Sequence, residues 1–259
     1  MAFRNLMARL GSGGAGVDAV LDSPDTTPGG TVTGTVHVTG GSVPQEVNEI
    51  RVALEATVEV ESGDHSWRED VSFGTTAVAG SGRIEPGARH AVPFRFAVPW
   101  QCPITAIDGW HLRGMRIGLV TRIDIPGSLD ATDLDPVTVL PLPVQRSVLV
   151  ALDSLGFAFR GADVEKGRLH GSDLPFYQEV EFAPPHSLRG RVNELEVTFL
   201  ADPQGVEVVL EVDRRGGLLT EGRDAFGRLR LSHRDTDVRA VAAQLDAAVR
   251  QLGARRGWL

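Results

Sequence analysis

The sequence IRVALEATVEV, residues 50–60, alternates apolar and polar side chains at almost every position. Because successive side chains of a β-strand point to opposite faces, this alternation predicts a strand buried on one face. The same period recurs in TVTGTVHV, residues 31–38, and in HAVPFRFAV, residues 90–98, each preceded by a turn-forming Pro-Gly pair. Many short strands separated by such turns predict a mainly β protein made of antiparallel β-sandwiches.

The period changes after residue 141. The break PLP, residues 141–143, is followed by apolar residues at helical spacing, which predicts an interdomain helix near 144–155. Alternation then resumes, and a second helical pattern begins near residue 236. We therefore predict two β-sandwich domains with short N-terminal, interdomain and C-terminal helices. The predicted units are an N-terminal sandwich at 1–141 with a helix at 1–10, a C-terminal sandwich at 142–235, and a C-terminal helix and tail at 236–259.

Charge and composition exclude several classes of protein. The 259 residues include 26 basic and 34 acidic side chains, for a formal net charge of -8. Nucleic acid is not expected as a partner, because phosphate binding needs a basic surface. A single cysteine, Cys102, leaves no internal disulfide. Neither a membrane-spanning apolar run nor a signal-peptide core is found, so we expect a cytoplasmic protein.

Motifs for catalysis or metal binding are missing from the sequence. No G-x-S-x-G occurs, and the seven histidines are scattered without an H-x-x-x-H pair. Asp130, Asp133 and Asp135 lie close together but lack the spacing of an EF-hand loop. Cys102 precedes a proline at a strand exit, where a lone thiol usually packs as an inert side chain. We expect a protein without catalytic residues, metal, cofactor or small-molecule substrate.

The N-terminal residues predict an amphipathic helix. Phe3, Leu6 and Leu10 share one face of the predicted helix at 1–10, with Arg4 and Arg9 beside them. Such a face packs on its own sandwich, on a second copy, in the groove of a partner protein, or on an anionic membrane surface. The sequence leaves these alternatives open, and Phe3, Leu6 and Leu10 are candidate partner-binding residues.

Two further sets of residues are candidates for contacts with partners. In the second half, charged residues gather near strand ends, where they form either a recognition surface or a solvated sheet face. The C-terminal helix carries an apolar stripe that packs on its own sandwich or forms the seam of a homodimer. The charged residues are Arg189, Arg191, Glu194, Glu196, Asp213, Arg214 and Arg215, and the stripe is Val241, Leu245 and Leu252.

Several longer strings resemble a known family. PGGTVTGTVHVTGG, from residue 28, and IEPGARHAVPFRFAVP, from residue 84, resemble the N-terminal sandwich of arrestin-like proteins. LPFYQEVEFAP, from residue 174, and GVEVVLEVDRR, from residue 205, are similar to the bacterial sporulation-control SpoOM family. The resemblance implies an arrestin-like fold of two sandwiches. It also implies a cytoplasmic, non-catalytic regulator of sporulation or the cell cycle that binds other proteins as a scaffold. The alternative is a membrane-peripheral adaptor that docks through its N-terminal helix.

Overall fold

Strands form most of the first half of the chain. The protein's computed structural model describes residues 14–63, 65–127, 129–188, 192–213 and 225–254. The strands of the first half are β1 (Gly16–Leu21), β2 (Asp25–Thr26), β3 (Thr31–Thr39), β4 (Gln45–Val47), β5 (Glu49–Ser62), β6 (His65–Ala79), β7 (Gly82–Ile84), β8 (Arg89–Ala97), β9 (Ala106–Ile107), β10 (Trp110–His111), β11 (Ile117–Asp124), β12 (Ala131–Pro136) and β13 (Thr138–Val139). The mainly β fold class is confirmed.

The second half combines strands with two helices. Its elements are α1 (Pro143–Ser154), β14 (Ala158–Lys166), β15 (Phe176–Ala183), a short 3₁₀ helix (His186–Leu188), β16 (Glu194–Asp202), β17 (Gly205–Asp213), β18 (Ala225–Ser232) and α2 (Val238–Ala254). Helix α1 begins at a proline, whose fixed φ suits the first helical turn. It ends before Gly156, which has a φ of +85°. The predicted interdomain helix is confirmed, whereas the predicted helix at 1–10 lies outside the described residues.

The first half forms a sandwich of two antiparallel layers. One layer is the sheet β1-β3-β8, and the other consists of β12, β11, β5 and β6, which belong to a larger nine-stranded sheet. The backbone N–H of Ala19 on β1 donates to Oδ2 of Asp133 on β12 at 3.0 Å, joining the two layers. Val36, Leu54 and Phe96 are fully buried between them, as the alternation of their strands requires.

The larger sheet continues from the first half into the second. Strand β5 pairs with β6 on one edge, and on its other edge it pairs with β11 and, in parallel at Glu59 and Glu165, with β14. Strands β14 to β18 follow in chain order. All described strands of the second half lie in this one sheet, and helices α1 and α2 pack on one of its faces. The sequence predicted a second sandwich in this half, but helices α1 and α2 form the layer where its second sheet was expected. Alternation predicts which face of a strand is buried, and it does not predict which strands pair or what covers the buried face. The division at residue 141 stays a prediction.

Two glutamines join the halves of the chain. The buried Gln178 of β15 accepts a hydrogen bond from the N–H of Ile104 at 2.9 Å and donates to the carbonyl of Ile104 at 2.8 Å. Gln101 donates to the carbonyl of Gly171 at 3.1 Å and accepts from the N–H of Asp173 at 2.8 Å. One continuous hydrophobic core runs through both halves, so these contacts hold them in a fixed relative position.

Candidate functional site

Carboxylates form a row across five neighbouring strands on one face of the nine-stranded sheet. On β15 and its neighbours, Glu181 lies directly opposite Glu196 of β16, which in turn lies opposite Glu211 of β17. Two residues before Glu181 on the same strand, Glu179 lies opposite Asp163 of β14. The row continues on β14 and β5, where Glu165 lies opposite Glu59. We call this set the acidic face: Glu59, Asp163, Glu165, Glu179, Glu181, Glu196 and Glu211.

Alternation within each strand places these carboxylates together. Their neighbours in sequence point to the opposite side of the sheet and are buried in the core, as Val164, Val180, Val197 and Leu210 are. A shift of one residue in any pairing would move these apolar side chains into water, so the core fixes the register. The same register holds like charges directly opposite one another, an arrangement that destabilises a sheet.

Burial and mutual repulsion raise the pKa of three carboxyl groups strongly. Burial first, and then the charge of Glu196, raise the pKa of Glu179 to about 9. Burial and Glu211 raise the pKa of Glu196 to about 7, and burial and Glu181 raise that of Asp163 to about 7. The pKa of Glu165 is also raised, mainly by burial. The face therefore holds protons at neutral pH that ordinary glutamates release.

Asp163 shows how such a proton is held. Its Oδ1 atom is buried and has no hydrogen-bond partner among the described residues. An oxygen of a charged carboxylate can only accept hydrogen bonds. Its side chain is hydrogen-bonded to Glu181, and this bond contributes to its raised pKa. A proton on Asp163 explains the hydrogen bond with Glu181, because a protonated carboxyl group can donate to a carboxylate, whereas two charged carboxylates can only accept.

Basic residues lie at the margin of the acidic face. Arg160 pairs with Glu194 at 3.0 Å, and Arg68 approaches Glu59 at 3.8 Å. Within the described part of the chain, neither Glu179 nor Glu196 takes part in an ion pair. Beside the row, Phe226 of β18 lies opposite Glu211 and is 51% exposed. The face thus combines negative charge with an exposed aromatic ring at its border.

Three carboxylates at the centre of the face are close enough to share one cation. Carboxylate oxygens of Glu179, Glu196 and Glu211 lie within 4.8 Å of one another. Such a group fits a divalent metal ion, an ammonium group of lysine or a guanidinium group of arginine. A calcium ion takes six to eight oxygen ligands, so further oxygens would have to complete its shell. A lysine or arginine side chain needs only the hydrogen-bond acceptors already present.

Concave regions among the described residues include a cleft and a groove away from the acidic face. A cleft between the halves, lined by Gln101, Cys102 and Gln178 among others, has a volume of about 10 Å³, enough for one water molecule. Burial raises the pKa of the Cys102 thiol, so the cleft presents no thiolate nucleophile. A groove of about 280 Å³ lies over β5, β6 and β11. Its Arg51 and Arg122 pair with Glu49 and Glu55 at 2.8 and 3.4 Å.

The structure brings only part of the predicted site into this region. Glu196 belongs to the acidic face and Glu194 lies at its margin. The predicted partner-binding residues Phe3, Leu6, Leu10, Arg189, Arg191, Arg214 and Arg215 lie outside the described residues. Val241, Leu245 and Leu252 are buried in the chain's own core, so this stripe is not available as a dimer seam. The signal that the sequence offered was a glutamate at every second position in EVEF, residues 179–182, and in ELEV, residues 194–197.

The fold defines the class of protein. Among the described residues, no helix is both long and apolar enough to cross a bilayer. The structure is similar to the crystal structure of Spo0M, a sporulation-control protein from Bacillus subtilis, with a TM-score of 0.81 and 33% sequence identity. The match covers 93% of this chain and 99% of the other. The protein is therefore a mainly β protein of the arrestin-like class.

Sequence comparison identifies the family within that class. The family model described as SpoOM protein matches residues 3–216. The sporulation-control protein Spo0M of Bacillus subtilis (strain 168) is 37% identical over 214 residues, which are 82% of this chain and 81% of the relative. The chain belongs to the SpoOM family, as the resemblance of its strands predicted.

Proposed function

We propose that the protein is a non-catalytic regulator of sporulation that acts by binding other proteins, and that its acidic face receives a cationic segment of a partner. Membership of the SpoOM family supports the regulatory part, because the matched relative is named a sporulation-control protein. The geometry of the acidic face supports the binding part. A cytoplasmic location belongs to the same proposal.

The observation that carries the binding proposal is the stacking of Glu181, Glu196 and Glu211 at directly opposed positions of three strands. This arrangement opposes folding, since like charges repel across the sheet. A lysine or arginine placed between the carboxylates would relieve the repulsion and gain charge-assisted hydrogen bonds. Such complementarity favours partner selection and rapid encounter.

The environment of the acidic residues favours binding over catalysis. Paired carboxyl groups with raised pKa values occur in acid–base enzymes, where they line a cleft that excludes water. The acidic residues are instead half-buried side chains on one face of the sheet, and none of them lines the cleft between the halves, whose volume is about 10 Å³. A membrane-peripheral role through Phe3, Leu6 and Leu10 draws no support from the described residues.

The regulatory part is tested by expression of the protein in a Bacillus subtilis strain that lacks Spo0M. We expect the wild-type chain to restore spore formation and the acidic-face variant E179Q/E196Q/E211Q to fail. The matched control is D130N/D153N/D173N, which replaces the same number of carboxyl groups at exposed positions elsewhere. Failure of the wild-type chain would contradict sporulation control. Equal restoration by all three chains would instead contradict a role for the acidic face.

Calorimetric titration separates protein docking from metal binding at the same carboxylates. We expect no tight stoichiometric binding of Ca²⁺ or Mg²⁺ to the purified wild-type protein at physiological ionic strength, because water would have to complete the ligand shell and the raised pKa values of Glu179 and Glu196 mean that an ion must displace their protons. Tight one-to-one binding that E196Q abolishes would assign the face to a metal and overturn the docking proposal.

A further inference from the structure

A two-residue turn presents a tryptophan at the tip of the hairpin β9–β10. Asp108 and Gly109 form the turn, with φ values of +49° and +84°. Positive φ at both positions is the mark of a type I′ turn, whose twist suits a tight hairpin. Asp108 is the one residue other than glycine with positive φ in the described part of the chain. The next residue, Trp110, is 81% exposed.

The hairpin is held rigidly on the body of the protein. The guanidinium group of Arg146 on α1 donates to both carboxylate oxygens of Asp108, at 2.6 and 3.1 Å. Behind the tip, the N–H of Leu112 donates to the carbonyl of Thr105 at 2.8 Å, and the Leu112 side chain is buried. The backbone that carries Trp110 is therefore ordered before any partner arrives, which reduces the entropy lost on binding.

This tryptophan is exposed although its side chain is large and mostly apolar. An indole ring carries a large apolar surface, and leaving it in water forfeits the free energy of burial. Tryptophan and arginine are the residues most enriched at binding hot spots, where an aromatic side chain fills a pocket of the partner. A rigid backbone that exposes such a ring provides an anchor of this kind.

Basic residues follow the exposed tryptophan closely in sequence. His111, Arg113 and Arg116 follow Trp110 within six residues and are exposed. Neither arginine forms an ion pair with any residue that the structure describes, and the one acid of the turn, Asp108, is already occupied by Arg146. The hairpin and the segment after it thus offer an exposed ring and two arginines without ion pairs among the described residues, a combination that an anionic surface with an apolar pocket would complement.

We propose that the β9–β10 hairpin is a second docking site, at which Trp110 enters an apolar pocket of a partner protein and Arg113 and Arg116 pair with carboxylates at its rim. A protein fits better than a lipid bilayer. One inserted ring with two arginines gives only weak membrane attachment, and the net charge of -8 repels anionic lipid. The site is opposite in charge to the acidic face and independent of it.

The test is photo-crosslinking in the source cell with the full chain. A benzophenone amino acid replaces Trp110, and the matched control places it at Trp67, a 47% exposed tryptophan on β6. We expect a discrete protein adduct from position 110 that R113E/R116E removes, and none of that mass from position 67. The captured protein, once purified, should bind W110A at least tenfold more weakly than wild type and W67A within twofold.

Three outcomes would overturn the proposal. The first is the absence of a position-specific adduct. The second is an adduct with another copy of this chain, together with self-association in sedimentation velocity that W110A abolishes, which would make the hairpin a self-association site. The third is Trp110-dependent co-sedimentation with vesicles of 70% phosphatidylcholine and 30% phosphatidylglycerol, without a protein adduct. Circular dichroism of W110A, with W67A beside it, checks that the variants are folded.

Discussion

Glu196 on β16 lies directly opposite Glu211 on β17, and burial together with that neighbouring charge raises the pKa of Glu196 to about 7. The register that produces this pair is imposed from the other side of the sheet, where Val197 and Leu210 are fully buried. The core thus maintains a repulsion that the outer face alone would not tolerate. Cationic groups are the natural means of relieving it.

The stability of the protein should fall as pH rises from about 5 to about 9. The folded-state pKa of Glu179 is raised from 4.5 to about 9, and that of Glu196 from 4.5 to about 7, so the folded chain binds more protons than the unfolded chain in this window. Stability falls with pH wherever the folded state holds the extra protons. Calorimetry at pH 6 and pH 8.5 should give the higher Tm at pH 6. A Tm that rises across this window would contradict the account.

Replacing Glu179 with glutamine should stabilise the protein at pH 8. Because the folded-state pKa of Glu179 is about 9, folding at pH 8 must place on this carboxyl a proton that the unfolded chain releases. E179Q removes that cost, and we expect a gain on the order of 1–2 kcal/mol after allowance for solvent screening. The measurement is urea denaturation at pH 8 and at pH 5.5, where the gain should shrink. E85Q is the control, because Glu85 pairs with Arg83 at 2.9 Å and its neutralisation should bring no gain. A destabilised E179Q at pH 8 would count against the repulsion.

Gln178 should contribute more to stability than Gln101. Q178A leaves the buried N–H and carbonyl of Ile104 without partners, which we expect to cost on the order of 2–4 kcal/mol. Q101A frees Gly171 and Asp173 at the surface, where water replaces the bonds, and should cost about 0.5–1 kcal/mol. The measurement is the free energy of unfolding of both variants by chemical denaturation. Similar losses of free energy in Q178A and Q101A would show that the hydrogen bonds of Gln178 hold the halves together no better than the surface bonds of Gln101.

Helix α2 should act as part of the core and not as an association surface. Leu245 is fully buried, so L245A should lose about 2–5 kcal/mol through the cavity that it leaves. Q244A, one residue earlier on the exposed side, should change stability by less than about 0.5 kcal/mol. Sedimentation velocity should give the same oligomeric state for both variants and wild type. Dissociation of an oligomer by L245A at unchanged stability would revive the dimer seam.

Local patterns were enough to predict the strands, the interdomain helix and the mainly β class. Alternation in residues 50–60 reports which side chains of β5 are buried, because that property depends on immediate neighbours. It does not report that β5 pairs with β14, more than a hundred residues later. The acidic face depends on this pairing and on those of β14 to β17, and each of its carboxylates taken separately is typical of a solvated position. In the sequence, Trp110 is likewise only one of four tryptophans. The turn at Asp108 in the structure shows that it lies at the tip of a hairpin.

In-cell crosslinking with mass spectrometry tests most directly whether the acidic face docks a partner, and it is applied to the wild-type chain, to E179Q/E196Q/E211Q and to D130N/D153N/D173N. Wild type and D130N/D153N/D173N should crosslink to the same partner, with lysines or arginines of that partner lying near β15 to β17. The acidic-face variant should lose this crosslink. An unchanged set of partners for the acidic-face variant would contradict the claim that these carboxylates form a docking surface.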